Sequence, residues 1–94
     1  MFEGKRYITV GVQREIPEPL QLLMWQLIEG LPVHKDYLQV FTLSEKDRMQ
    51  SLVHSQERPA WRMQYEWLDN SAVEGKVFVI DDGPYATMLL SDEY

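Results

Sequence analysis

Apolar and polar residues alternate over Lys5–Val12, KRYITVGV, and this alternation predicts a first β-strand. From about Pro17 to Leu31 the apolar residues recur instead at the spacing of an α-helix. Gly30 and Pro32 are typical of the residues that end a helix. The apolar stripe of this predicted amphipathic helix consists of Leu20, Leu23, Met24, Leu27, Ile28 and Leu31.

Two large apolar residues of the predicted helix lie outside the stripe. At about 100° per residue, Leu22 and Trp25 point away from its centre, on the same side as Glu18 and Glu29. A neighbouring loop or strand could cover them. Alternatively they form a binding patch, because Trp is common among the residues that dominate interface energies. We take Leu22, Trp25 and Glu29 as candidate partner-binding residues.

Strand patterns dominate the rest of the chain. Tyr37–Leu43 is apolar on both faces, Trp61–Leu68 alternates regularly, and Lys76–Asp81 is a continuous apolar run. An Asp-Gly-Pro turn then allows Thr87–Leu90 to return as a short final strand. We expect one face of the Trp61–Leu68 strand to point inward, and its side chains are Trp61, Met63, Tyr65 and Trp67.

Only Arg48–Glu57 fits two patterns, since its apolar residues have helical spacing but the segment could also return as the second strand of a hairpin. We predict a strand. The order of elements then predicts an α+β fold, with one amphipathic helix packed on a mostly antiparallel sheet of about five or six strands. The length of 94 residues predicts a single domain spanning 1–94.

The amino-acid composition excludes several classes of site. The chain has no cysteine, which excludes disulfides, thiolate zinc sites and thiol catalysis. No apolar run approaches the roughly 20 residues that a membrane-spanning helix needs. We therefore expect a soluble, cytoplasmic protein that does not contact a membrane.

The net charge of −6 is unevenly distributed, because residues 69–94 contain six acidic residues and only one basic residue, Lys76. An acidic protein is a poor direct ligand for nucleic acid, which is recognised by cations. It suits a protein partner with a basic surface; alternatively, the charge serves only to keep the protein soluble. The candidate contact residues in this part of the chain are Asp81, Asp82, Asp92 and Glu93.

No motif predicts catalysis, a metal site or a cofactor. Glycine-rich phosphate loops and nucleophile elbows are missing, and neither His34 with Asp36 nor His54 with Glu57 has the spacing of a strong metal site. Basic residues beside the aromatic strand, such as Arg62, could support base stacking on a sheet. The aromatic residues are equally expected in the core, and the domain is acidic, so we do not predict nucleic-acid binding.

Four stretches carry a resemblance to a known family: FEGKRYITVGVQREIPEPLQLLMWQLI, DYLQVF, HSQERP and KVFVIDDGPYATMLLSDEY. Across Phe2–Tyr94 the chain resembles a small family from Firmicutes and their phages, the domain of unknown function nine-sixty. The resemblance implies a cytosolic single-domain protein that is often carried by phages or mobile elements. It implies no catalytic residues.

Together these features suggest a small, acidic, non-catalytic protein-binding module. In its narrower form, the hypothesis is an accessory protein that inhibits or modulates a host nucleic-acid-binding protein, as an anti-CRISPR or anti-restriction protein would. The alternative is a homodimeric structural or regulatory protein, joined through Leu22 and Trp25 or through an open sheet edge. We also expect Ser91–Tyr94 to be dispensable for folding.

Overall fold

The computed structural model describes all 94 residues and arranges them around one six-stranded sheet. A short 3₁₀ turn, Ser91–Glu93, ends the chain. The α+β class is confirmed, although two α-helices are present where we expected one. In chain order the elements are β1 Lys5–Ile8, α1 Val10–Glu15, α2 Glu18–Glu29, β2 Leu38–Lys46, β3 Met49–Gln56, β4 Trp61–Leu68, β5 Gly75–Asp81 and β6 Tyr85–Leu90.

The strands lie in the order β1-β6-β5-β2-β3-β4. All neighbouring pairs are antiparallel except β1 and β6, which are parallel, so the sheet is mixed. β2, β3 and β4 form a meander, and β5 then returns to pair with the other side of β2. β1 and β4 form the two edges of the sheet.

The predicted first strand is too long. It ends at Ile8, and the Thr9 hydroxyl caps a new helix by accepting a hydrogen bond of 3.2 Å from the Val12 N–H. Val12 of α1 and Ile16, the residue that follows the helix, are both buried, whereas Val10 is 60% exposed. The strand had been predicted because Ile8, Val10 and Val12 alternate with other residues.

The other boundaries agree better with the sequence. α2 lies within the predicted helix and ends just before Gly30, and β4 has the predicted bounds. The ambiguous segment is a strand, which confirms the preferred interpretation, because β3 pairs with both β2 and β4.

Both helices pack on the same face of the sheet, which we call the inner face. Met24 and Ile28 of α2 share one core cluster with sheet residues that the register places on a single face. The opposite side, the outer face, contributes no residue to that cluster and carries no α-helix. The sheet residues of the core are Phe41, Leu43, Leu52, Val77, Val79, Ala86, Met88 and Leu90.

Candidate interaction surface

The predicted patch around Trp25 does not form. Leu22 is 55% exposed, but Trp25 is only 6% exposed. Arg6 of β1 covers the indole, with its guanidinium carbon 4.8 Å from the ring centroid, and Glu29 binds the same guanidinium at 2.7 Å. The expectation that Trp25 anchors an exposed patch is therefore wrong. A neighbouring strand covers it, as the alternative interpretation required.

The four predicted acidic contact residues do not form one surface. Asp81 and Asp82 precede the turn into β6, whereas Asp92 and Glu93 follow its last residue. A six-residue strand spans roughly 17–20 Å, so the two pairs lie at opposite ends of the sheet. Asp81 also has an internal role, because its Oδ1 accepts a hydrogen bond of 3.3 Å from the Phe2 N–H.

Glu93 is part of the folded structure. Its carboxylate accepts hydrogen bonds from the Thr9 hydroxyl at 2.6 Å, the Leu90 N–H at 2.8 Å and the Gly11 N–H at 3.3 Å. These bonds, with that from Thr9 first, lower the pKa of the Glu93 carboxyl. They join the 3₁₀ turn to the start of α1. The sequence did not predict these contacts, and the expectation that Ser91–Tyr94 is dispensable for folding stays a prediction.

An apolar surface that neither α-helix covers lies on the outer face, and Tyr94 packs on part of it, with 5.6 Å between its ring centroid and that of Phe78. Tyr7 of β1 is 50% exposed and Tyr85 of β6 is 44% exposed, and their rings meet edge to face at 5.8 Å between centroids. Clustered apolar exposure of this kind marks interaction sites more often than isolated exposed residues do. Half-buried apolar side chains continue the surface across the sheet, namely Leu38, Val40, Val53, Phe78 and Ile80.

The outer face also differs in charge from the rest of the molecule. Strand alternation places four of the nine cations there, but only one of the 15 acidic residues, Glu66. The other five cations and 14 acidic residues lie on the inner face, the helices, the loops or near the chain termini. This separation is hidden in the sequence because the charges interleave along the chain. The outer-face cations are Lys5, Lys46, Arg62 and Lys76.

A buried polar network crosses the inner face between β2 and β3. His54 Nε2 lies 2.7 Å from the side-chain oxygen of Gln39, whose amide nitrogen donates to Gln56 Oε1 at 2.7 Å. The amide nitrogen of Gln56 donates in turn to the carbonyls of His34 and Pro59. The network therefore connects the loops that contain His34 and Pro59 to the centre of the sheet.

His54 is fully buried and stacks on Phe41, with 4.3 Å between ring centroids. The amide nitrogen of Gln39 donates elsewhere, so its oxygen accepts the Nε2–H of a neutral His54, and Nδ1 has no partner. Burial lowers the pKa of His54 from 6.5 to about 4. An imidazole with no exposed surface cannot touch a substrate.

Two further observations concern chemistry and membranes. No group of three or more His, Asp or Glu side chains is arranged so that it could hold a metal ion. Neither helix has the length and apolarity that crossing a membrane would require.

Comparison with known proteins identifies relatives of the whole chain. The family model described as "Staphylococcal protein of unknown function (DUF960)" matches residues 5–93. The crystal structure of a protein of unknown function from Enterococcus faecalis superimposes with a TM-score of 0.83 at 25% sequence identity. The superposition covers 97% of this chain and 91% of the enterococcal chain. No curated protein matches the chain.

Proposed function

The chain belongs to the DUF960 family of staphylococcal proteins of unknown function, and we propose that it is a non-catalytic protein-binding module. In this proposal the partner packs on the outer face of the sheet. The observation that carries the proposal is the exposed pair Tyr7 and Tyr85 on a face that neither α-helix covers.

The two exposed tyrosines would supply part of the free energy of binding. A buried aromatic side chain contributes roughly 150–250 Å² of surface. About half of that area is exposed at Tyr7 and at Tyr85. Covering both exposed halves at about 25 cal/mol per Å² gives about 4 to 6 kcal/mol. This gain partly offsets the entropic cost of association, and the half-buried aliphatic neighbours would add to it.

The charge of the outer face indicates the chemistry of the partner. Its cations surround the apolar centre, so carboxylates at the rim of the partner would complement them. For a partner on this face we therefore propose an acidic rim, in contrast to the basic surface expected from the net charge alone. Binding of this kind weakens with added salt, because exposed ion pairs are screened.

A second candidate function is favoured by the same separation of charge. Fourteen of the 15 acidic residues lie outside the outward-facing strand positions, and those on the helices could meet a partner with a basic surface. This is the narrower hypothesis of an accessory protein from a phage or mobile element. Such a protein would inhibit or modulate a host nucleic-acid-binding protein, in the manner of an anti-CRISPR or anti-restriction protein. Glu15 and Glu18, exposed on α1 and α2, are test positions for it.

One set of variants distinguishes the two candidates. The Tyr7→Ser/Tyr85→Ser variant removes the outer-face aromatics, and the Glu15→Gln/Glu18→Gln variant reduces the acidic side. Leu22→Ser is the control, because Leu22 is as exposed as the tyrosines but lies on α2. Each variant is used beside the wild type for affinity capture from the native host. The captured partner is then purified and titrated against all four proteins.

We expect the double tyrosine variant to lose the partner while the other two variants retain it. Loss of binding only in the glutamine variant would support the second candidate. Equal binding by all four proteins would contradict both.

A further inference from the structure

The edge strand β4 has eight residues and an unpaired side, whereas the other edge, β1, has four. The Asp69 N–H donates to the Arg48 carbonyl at 2.9 Å, so the odd-numbered residues of β4 are the ones that exchange backbone hydrogen bonds with β3. Because antiparallel pairs alternate, the even-numbered residues of β4 direct their N–H and C=O groups away from β3. A second strand could therefore pair with Arg62, Gln64 and Glu66.

Several side chains of β4 are exposed or lack an ion-pair partner within the chain. Arg62 and Glu66 are exposed on the outer face, and neither belongs to an ion pair of the chain. Met63 is on the inner face but is 45% exposed. A groove of about 290 Å³ between α2 and β4 leaves Trp67 accessible beside Leu23.

These features are self-complementary, and we propose that two copies of the chain pair through β4 in antiparallel orientation about a two-fold axis at Gln64. The axis places Arg62 opposite Glu66 of the second copy, and the reverse pair forms by symmetry. Moving the axis by one residue leaves a charge opposite Gln64. Moving it by two places Arg62 or Glu66 opposite its own copy, which is repulsive.

The same register would pair the free backbone groups of β4 and bring apolar side chains of the inner face together. Arg62, Gln64 and Glu66 would exchange about six backbone hydrogen bonds with the second copy. On the inner face, Met63 would lie opposite Tyr65 of the second copy, and Trp61 opposite Trp67. Such aromatic cross-strand pairs stabilise a sheet beyond its hydrogen bonds. The product is a continuous twelve-stranded sheet in which β4 is no longer an edge.

Pairing through β4 leaves the aromatic centre of the proposed partner-binding site uncovered, although it uses Arg62, one of the four outer-face cations. Tyr7 and Tyr85 lie on β1 and β6 at the opposite end of the sheet. They stay exposed in the dimer, which would display two outer-face surfaces. Failure of one proposal would therefore leave the other intact.

Sedimentation equilibrium of the purified chain over a range of micromolar concentrations tests the pairing. The variants are Arg62→Glu, Glu66→Arg and the double reversal Arg62→Glu/Glu66→Arg. A fourth variant, Gln64→Pro, removes an N–H that is directed to solvent, so it blocks pairing without breaking the β3–β4 ladder. Thermal unfolding of each variant measures its folding separately.

We expect the wild type to be a dimer that each single reversal weakens about tenfold or more, since like charges then face each other twice. The double reversal should restore the dimer, and Gln64→Pro should be a folded monomer. A monomeric wild type, or a dimer that persists in Gln64→Pro, would overturn the proposal. A double reversal that remains as weak as the single reversals would overturn the register at Gln64.

Discussion

Replacing Trp25 by alanine should strongly destabilise the fold, because the indole is 6% exposed within the core cluster. Large-to-small substitution of a buried aromatic residue costs about 3 to 5 kcal/mol. The lost cation–π contact with Arg6, 4.8 Å from the ring, adds about 0.5 to 1 kcal/mol. A loss of this size is a large part of the roughly 5–15 kcal/mol that stabilises a small domain.

Urea denaturation followed by far-UV circular dichroism is the appropriate assay, because the substitution removes one of the three tryptophans on which fluorescence would depend. In thermal unfolding the expected decrease in Tm is on the order of 15 °C or more. Leu22→Ala is the matched control, since Leu22 is on the same helix but 55% exposed. It should change stability by no more than about 0.5 kcal/mol.

Two outcomes would refute this reasoning. A Trp25→Ala protein within about 1 kcal/mol of the wild type, with an unchanged urea m-value, would show that the indole is not a core residue. A Leu22→Ala protein as unstable as Trp25→Ala would show that the two sides of α2 are not distinguished as the structure describes. If Trp25→Ala does not fold, Trp25→Phe should show a smaller loss of the same sign.

Three further predictions follow from buried or crowded groups. The pKa of His54 is lowered from 6.5 to about 4, so the unfolded chain binds this proton first as the pH falls. Stability should therefore decline between about pH 6.5 and pH 4, by roughly 2 kcal/mol at pH 5, and urea denaturation of His54→Asn should show less of this decline. Glu93→Ala should lower the Tm because three hydrogen bonds to its carboxylate are lost. Asp92→Ala, at a neighbouring exposed position, should leave the Tm unchanged. Gly4→Ala should cost roughly 1–3 kcal/mol in chemical denaturation, because its Cβ would collide with the backbone carbonyl of Pro84; an unchanged midpoint would contradict the close approach.

Local patterns in the sequence were sufficient to predict most elements. The helical stripe located α2 because Leu20, Met24 and Ile28 recur every four residues on the buried side. Alternation located β4 with its correct bounds. The β1–α1 boundary was missed because Val10 and Val12 fit both an extended strand and a short helix.

Features that depend on distant segments could not be predicted in this way. Trp25 is buried by Arg6, which is nineteen positions earlier in the chain, and the helix pattern contains no information about that contact. Likewise, Glu93 accepts a hydrogen bond from Thr9, which is 84 positions earlier in the chain. The charge of the outer face and the free side of β4 become visible only when the strand order is known.

The proposed protein partner packs on the outer face of the sheet. Hydroxyl-radical footprinting of the chain with and without its captured partner tests this directly, because Tyr7, Tyr85 and Leu22 are all exposed in the free protein. We predict that binding protects Tyr7 and Tyr85 while Leu22 on α2 stays reactive. Protection of Leu22 with both tyrosines still fully reactive would contradict it.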